Sequence, residues 1–331
     1  MLPQYDSRLD KDGNYADSLY IDNEQDLDKS LAAILHEEDR FLYRGVNDAR
    51  YQMFASSQRH WLLQLSRITR LGQPSYHDSI QMLINLTYSL QEVKDYMQQQ
   101  NGDYNEFFIL ALMQHFGVPS PMIDFSKSAL KGLFFAVDNM RPWTDNGGHE
   151  LDDYISLYYL PADIDWVDCT IQRVMENAAE SIERLVSEQH QQAPNLPLDT
   201  KIEEANIRHL LFRQFFPSEG NITFLPVGGP STGHVSINIP ILNFSCDYVI
   251  INDRLVSQEG LFIFNNTEDQ PLVELMNGAT RCRYFHCLNI RKHLVPYIQA
   301  KYLQPNGIDH DSVYCIGQPE PDTLQVVMNR V

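Results

Sequence analysis

The chain has 331 residues, 43% of them apolar, and 44 acidic against 25 basic side chains give it a formal net charge of −19. That length and apolar share suffice for a dry core and exclude wholesale disorder, while the acidity repels polyanions at long range and counts against non-specific nucleic-acid binding. The cysteines, five in number and scattered, exclude a disulfide framework and fit a reducing, cytoplasmic setting.

Residues 1–23 are polar and rich in Asp and read as a loose N-terminal tail or a weakly packed cap. They lack the basic and apolar regions of a signal peptide. No later run reaches the roughly 20 apolar residues of a membrane helix, so no membrane partner is expected. Leu27, Leu31, Ile34 and Leu35 recur at the spacing of one helical face between Asn23 and Asp39. "FLYRGV" (41–46) then has strand character. A second helix is predicted near 78–100 from Ile80, Leu83, Ile84, Leu90 and Val93.

"YNEFFILALMQHF" (104–116) predicts a buried helix stopped by Gly117 and Pro119, and "SALKGLFFAVDN" (128–139) another, with Ser126 or Ser128 as its N-cap. "YISLYYL" (154–160) predicts a strand. Residues 170–190 form an amphipathic, charged helical pattern, and a further helix is expected at about 200–214. After Pro217 the runs "NITFLPV", "VSINIPI", "DYVIIND", "GLFIFN" and "RCRYFHCLNI" are short, β-branched and aromatic, separated by turn residues. "KHLVPYIQAKYL" (292–303) returns to a helical period, with Pro296 in its first turns.

Helices thus fill the first two-thirds and strands the rest, so the expected class is α+β, with a mixed or antiparallel sheet and N-terminal helices. Residues 24–331 are read as one such domain carrying a helical insertion at about 141–215. There is no P-loop, no Gly-rich dinucleotide fingerprint and no GxSxG element. In "CRYFHC" (282–287) alternation puts Cys282 and His286 on one strand face and Cys287 on the other, which leaves a zinc site two ligands short. No metal is expected.

Two stretches carry the chemistry: "DRFLYRGV" (39–46) and "LMQHFGVPSPMIDFSKSALKGLFFAV" (112–137). Together they resemble the FRG domain family, named for its aromatic-x-x-Arg-Gly element. The second stretch supplies Gln114, His115, Phe116, Gly117, Val118 and Pro119, then Asp124, Ser126 and Ser128 ahead of an Ala/Phe-rich helix. "NDRLVSQEGLFIF" (252–264) is similar to a third family element, and "HCLNIRKHLVPYIQAKYLQPNGIDHDSVY" (286–314) to its closing strand and helix. The chain departs from the family at Ser120-Pro121, where Thr-Arg is usual, and at Phe125, where Trp is usual.

Arg44 is permanently charged and offers a planar fork suited to a diphosphate, or to an internal carboxylate such as Asp124. Gly45 lets the backbone turn or a ligand approach closely. His115 lies near a helix C-terminus, where it either gains from the dipole or donates to a bound sugar or phosphate. Asp124 caps the following helix or anchors Arg44, and Ser126 and Ser128 are caps or anion contacts. Arg59, Arg67 and Arg70 make a small basic patch, and Arg59 falls where the family tends to carry an arginine. Read as one strand, "SQEGLFIF" puts Gln258, Gly260 and Phe262 on one face, so Glu259 faces the site only if a bulge turns it.

The same order of elements is distantly similar to ADP-ribosyltransferases, with Arg44 first, Ser126 and Ser128 second, and Gln258 or Glu259 third. That resemblance implies NAD as the cofactor, a catalytic set of Arg44, Gln258 and Glu259, and a binding set of Arg44, Gly45, Arg59, His115, Asp124, Ser126 and Ser128. The implied protein is an ADP-ribosyltransferase or NAD glycohydrolase, as a bacterial toxin or phage-defence effector. It would act on a protein or nucleic-acid acceptor, with an antitoxin or partner protein. The alternative is a non-catalytic module that senses a nucleotide or holds a protein in the same pocket.

Overall fold

The computed structural model describes residues 2–65, 75–99, 106–138, 140, 148–162, 171–192, 207, 211, 222–225, 234–242, 244–249, 253–265 and 267–314. Its strands are β1 (Asp17–Ile21), β2 (Phe41–Val46), β3 (Met122–Ser126), β4 (Tyr154–Pro161), β5 (Ile222–Leu225), β6 (His234–Ile239), β7 (Phe244–Val249), β8 (Gly260–Asn265) and β9 (His286–Arg291). Seven pair in the order β1-β9-β4-β2-β3-β8-β5, and β6 and β7 form a separate hairpin ladder. Only β1 with β9 is parallel, so the main sheet is mixed and the fold is α+β, as expected.

Strand alternation sorts the side chains. Along β4, Tyr154, Tyr158 and Leu160 join a core with Leu42, Ile123, Phe125, Leu261 and Ile263 on one face. Ile155 and Leu157 point to the other face, where Tyr43, Leu288 and Ile290 meet the helix Glu24–His36 and the helix Ala129–Val137. That second face holds a further, separate core at its far end. There Met122, Phe262 and Phe264 lie under the helices Tyr76–Ser89 and Glu106–His115. The two cores of this face divide between β2 and β3.

The helix start at Ser75 is a capping box with Asp78, which explains why a polar stretch opens the helix there. The expected helix at 78–100 is broken into Tyr76–Ser89 and Gln91–Gln99, because Leu90 takes an extended backbone, φ −74° and ψ 130°. Gly117, at φ +75°, ends the helix Glu106–His115 in a conformation that suits glycine. The closing segment starts with Pro296 in its first helical turn, as expected. The helix expected at 200–214 lies outside the described residues apart from positions 207 and 211.

Two expectations about organisation are corrected. Residues 1–23 are not a loose tail: Asp17–Ile21 is the edge strand β1, and Tyr5, Lys11 and Tyr15 are buried. Polar composition hid this, because Asp17, Leu19 and their neighbours face solvent at an edge while the two tyrosines do the packing. The segment 141–215 is not an insertion throughout. It contains β4, which pairs with both β2 and β9 in the middle of the sheet. The helix Ile171–Gln192 that follows buries Met175, Ala178 and Ala179 in the core beneath β3 and β8. No helix among the described residues is long and apolar enough to cross a membrane.

Candidate functional site

β2 is paired with β4 along its whole length, but with β3 only at Tyr43 opposite Ser126. Beyond that bridge the two strands part. A cleft of about 300 Å³ opens there, lined by Arg44, Gly45, Asn47, Arg59, Gln114, His115, Asp124 and Gln258 among others. Across the gap the Arg44 guanidinium donates to the Asp124 main-chain oxygen at 2.6 Å, and its nearer approach to the Asp124 carboxylate is 3.9 Å. The fork is therefore only partly used: Nε is buried and has no acceptor among the described residues.

Gly45 has a packing reason. A Cβ there would lie 2.0 Å from the Gly132 carbonyl oxygen and 2.3 Å from the Ala136 nitrogen. The helix Ala129–Val137 rests directly on the strand backbone at that point. Gly132 answers from the helix side, where a Cβ would come within 2.8 Å of the Tyr43 Cβ. In "YRG" the tyrosine and glycine serve the helix, and the arginine between them is sent by alternation to the opposite side, toward the cleft. Gly45 still lines the cleft by its backbone, but what it admits closely is the helix.

Asp124 sits inside β3 and caps no helix, so that reading is corrected; its partners are lateral. Gln114 Nε2 donates to Asp124 Oδ2 at 2.6 Å, and Gln114 Oε1 accepts from Ser56 Oγ at 3.2 Å. His115, one residue on, packs against the Phe262 ring at 5.5 Å. Arg59, on the helix Ser56–Leu65, lines the same cleft, and the Asp124 charge acts on its guanidinium as well. Burial pulls the Arg44 guanidinium below its ordinary value, Asp124 opposes this, and the charge of Arg59 adds to the lowering. Asp124 is the one carboxylate among the described lining residues. Two guanidinium groups share it, so the cleft carries excess positive charge inside an acidic protein, an arrangement that draws an anion.

At the head of β8 the single-strand reading of "SQEGLFIF" fails. The helix Asp253–Ser257 runs into a turn, Glu259 takes φ +46°, and the strand begins only at Gly260. The turn separates the two candidates. Gln258 is 7% exposed and lines the cleft, and its carboxamide makes no hydrogen bond within the described residues. Glu259 points outward, 54% exposed, and pairs with Lys131 at 2.7 Å. Of the expected catalytic set, Arg44 and Gln258 come together and Glu259 does not.

Ser126 and Ser128 also lie outside the cleft lining. Ser126 is buried, donates to the Gln258 carbonyl at 2.7 Å and accepts from the Ser128 nitrogen, so it fastens the Gln258 turn to β3. Ser128 is the N-cap of the helix Ala129–Val137. The expected anion contacts at these two serines are thus replaced by structural ones. Arg67 and Arg70 lie outside the described residues. In "CRYFHC", His286 stacks on Tyr159 and bonds Asp17, Cys282 is exposed and Cys287 is buried. No group of three or more His, Cys, Asp or Glu that could hold a metal occurs among the described residues.

Sequence reasoning missed several lining residues. Val46 ends the Arg-Gly strand and Tyr51 lies five residues beyond it, so proximity to that motif is their available signal. Gln114 stands in "QHFG" beside His115, and of the two only the titratable histidine carries a local chemical signal. Phe135 and Tyr314 also line the cleft, and nothing local marks Tyr314, which arrives from the far end of the chain.

A family model described as FRG domain matches residues 39–144. The match runs from the start of β2 to just past the helix Ala129–Val137. It contains Arg44, Arg59, Gln114, His115 and Asp124 and excludes Gln258 and Tyr314. No curated protein and no solved structure matches the chain.

Proposed function

We propose that the FRG domain of this chain builds one side of a binding site for a phosphate-bearing nucleotide of the NAD type. The observation that carries the reading is the pair Arg44 and Arg59 lining a cleft with a single carboxylate among its described lining residues, the Arg44 Nε having no acceptor among the described residues. A phosphate supplies the missing negative charge and matches the guanidinium fork. The cleft, at about 300 Å³, sits at the low end of small-molecule sites. It holds part of a dinucleotide and leaves the rest toward solvent. Gln258 adds a donor and an acceptor for a sugar or amide. A cytoplasmic setting belongs to this proposal, and the buried Cys287 is a free thiol.

The test is thermal unfolding with millimolar NAD or ADP-ribose. Binding to the folded state alone raises the melting temperature by mass action. The rise should vanish in Arg44→Ala at comparable intrinsic stability. If neither ligand moves the wild-type transition, the site does not bind this class.

A second reading, transfer of ADP-ribose or hydrolysis of NAD, rests on the position of Glu259 next to Gln258. Cleaving the nicotinamide–ribose bond builds positive charge on the sugar, and a carboxylate there would stabilise it. Glu259 is held away by an exposed ion pair worth at most about 1 kcal/mol, so ligand binding could recruit it by turning the 258–259 peptide. Release of nicotinamide from NAD, abolished by Glu259→Gln, would establish that reading. A toxin or phage-defence role, with a protein or nucleic-acid acceptor and an antitoxin-like partner, follows only from that result.

A further inference from the structure

The cleft lining holds two unlike sets of side chains. Arg44 and Arg59 are cationic. Phe135 and Tyr314 are aromatic; they pack at 6.1 Å with their rings 75° apart, and the Tyr314 hydroxyl donates to Asp138 Oδ2 at 2.9 Å. Tyr314 ends the helix His310–Tyr314, the last described element of the chain. That helix is tied to the Gln258 turn, because Ser257 Oγ donates to the Val313 carbonyl at 2.8 Å. Gln258 and Tyr314 therefore reach the cleft as one unit, from outside the region that matches the family model.

Resting on the nucleotide reading above, we infer that Gln258 and Tyr314 are the selective part of the site and recognise the adenine base of the ligand. A carboxamide presents a donor and an acceptor side by side, which pairs with the adenine N6 and N7 edge. The Gln258 carboxamide has no partner among the described residues and is almost enclosed, so leaving it unmatched by a ligand is unfavourable. Tyr314 is bound to Asp138 by its hydroxyl, and its ring packs against Phe134, Phe135 and, at 4.6 Å, His310; the part of the ring that lines the cleft is where a base would stack. The arginines hold the phosphates and do not distinguish one nucleotide from another. The selective contacts come from the C-terminal third of the chain.

The experiment is calorimetric titration of the full chain with ADP-ribose, with the inosine analogue of ADP-ribose, and with ribose 5-phosphate. Wild type, Tyr314→Ala, Tyr314→Phe and Gln258→Leu are compared, each with its melting temperature recorded. Wild type should prefer ADP-ribose to ribose 5-phosphate by at least tenfold. Tyr314→Ala should weaken ADP-ribose about tenfold or more, as loss of a base-stacking ring does, and leave ribose 5-phosphate unchanged. Tyr314→Phe should retain most of the affinity. Gln258→Leu should erase the preference for adenine over hypoxanthine while both still bind.

Equal affinity of wild type for ADP-ribose and ribose 5-phosphate overturns the inference and leaves the phosphate site standing. So does an equal loss of both ligands in Tyr314→Ala, or a purine preference that survives in Gln258→Leu. If Tyr314→Ala does not fold, Gln258→Leu and Tyr314→Phe decide the matter by the same ratios. Failure of wild type to bind any of the three removes the nucleotide reading itself, and this inference with it.

Discussion

Lys11 and Arg44 are both basic side chains taken into the protein, and they are used in opposite ways. The Lys11 amine is fully enclosed. It donates to the Ala49 carbonyl at 2.7 Å and to Ser156 Oγ at 2.8 Å, and lies over the rings of Tyr5 and Tyr158. Two acceptors match the two hydrogens of a neutral amine, and burial lowers its pKa. Arg44 has one good acceptor, a second guanidinium nearby and an open cleft beside it. A buried basic group that is sealed and satisfied holds structure together, here the N-terminal segment to the sheet. A cation left with donors to spare at an opening is equipped to hold a ligand.

The comparison breaks hardest at Gly45. Gly45→Ala forces a Cβ into the backbone of the helix Ala129–Val137, so the strand that presents Arg44 must shift. We expect a loss of about 3 kcal/mol or more, read as a fall in the denaturation midpoint. Lys11→Ala should be nearly as damaging, about 3 kcal/mol, because it strands the Ala49 and Ser156 acceptors and leaves a hole. Nucleotide affinity per folded molecule should not change. Arg44→Ala should do the reverse: a tenfold to hundredfold loss of ADP-ribose affinity, as expected for a charge-assisted pair, with stability within about 1 kcal/mol of wild type. Arg44→Lys should restore little of that affinity, since the fork geometry is missing.

The pH dependence sharpens the contrast more gently. The folded pKa of Lys11 lies below its ordinary 10.5. Between that lowered value and 10.5 the unfolded chain binds the additional proton, so stability rises with pH through the window, by at most about 1.4 kcal/mol per unit. Burial raises Tyr5, Tyr15 and Tyr158, and their contribution is lost as the pH climbs above 10. Urea midpoints across pH 7–11 should therefore rise and then fall, and Lys11→Met should remove the rising limb alone. The smallest effect is expected from Glu259→Gln. Breaking its exposed pair with Lys131 should move stability by no more than about 0.5 kcal/mol and leave binding unchanged, so any large effect on turnover would be catalytic.

The legible parts of this chain were those written locally. "FLYRGV", "YISLYYL" and "GLFIFN" alternate with period two, "EFFILALMQH" is apolar throughout, and each forms the expected element. Arg44, Arg59, His115, Asp124 and Gln258, named from motifs, do converge on one cleft. What could not be read depends on partners far along the chain. The parting of β2 from β3 is a tertiary event, and so is the burial of Lys11 against Ser156, 145 residues away. Gln258 faces the cleft and Glu259 does not, as alternation predicts, but through a turn rather than a strand. One helical turn at Asp253–Ser257 consumes residues that look like strand, and the positive φ at Glu259 resets the alternation.

The most direct measurement is a crystal structure with ADP-ribose bound. We predict phosphate oxygens within hydrogen-bonding distance of both Arg44 and Arg59, in the gap where β2 and β3 separate, with Asp124 still held by Gln114. A saturating ligand found at some other surface, with the Arg44 guanidinium still turned only to the Asp124 carbonyl, would contradict it.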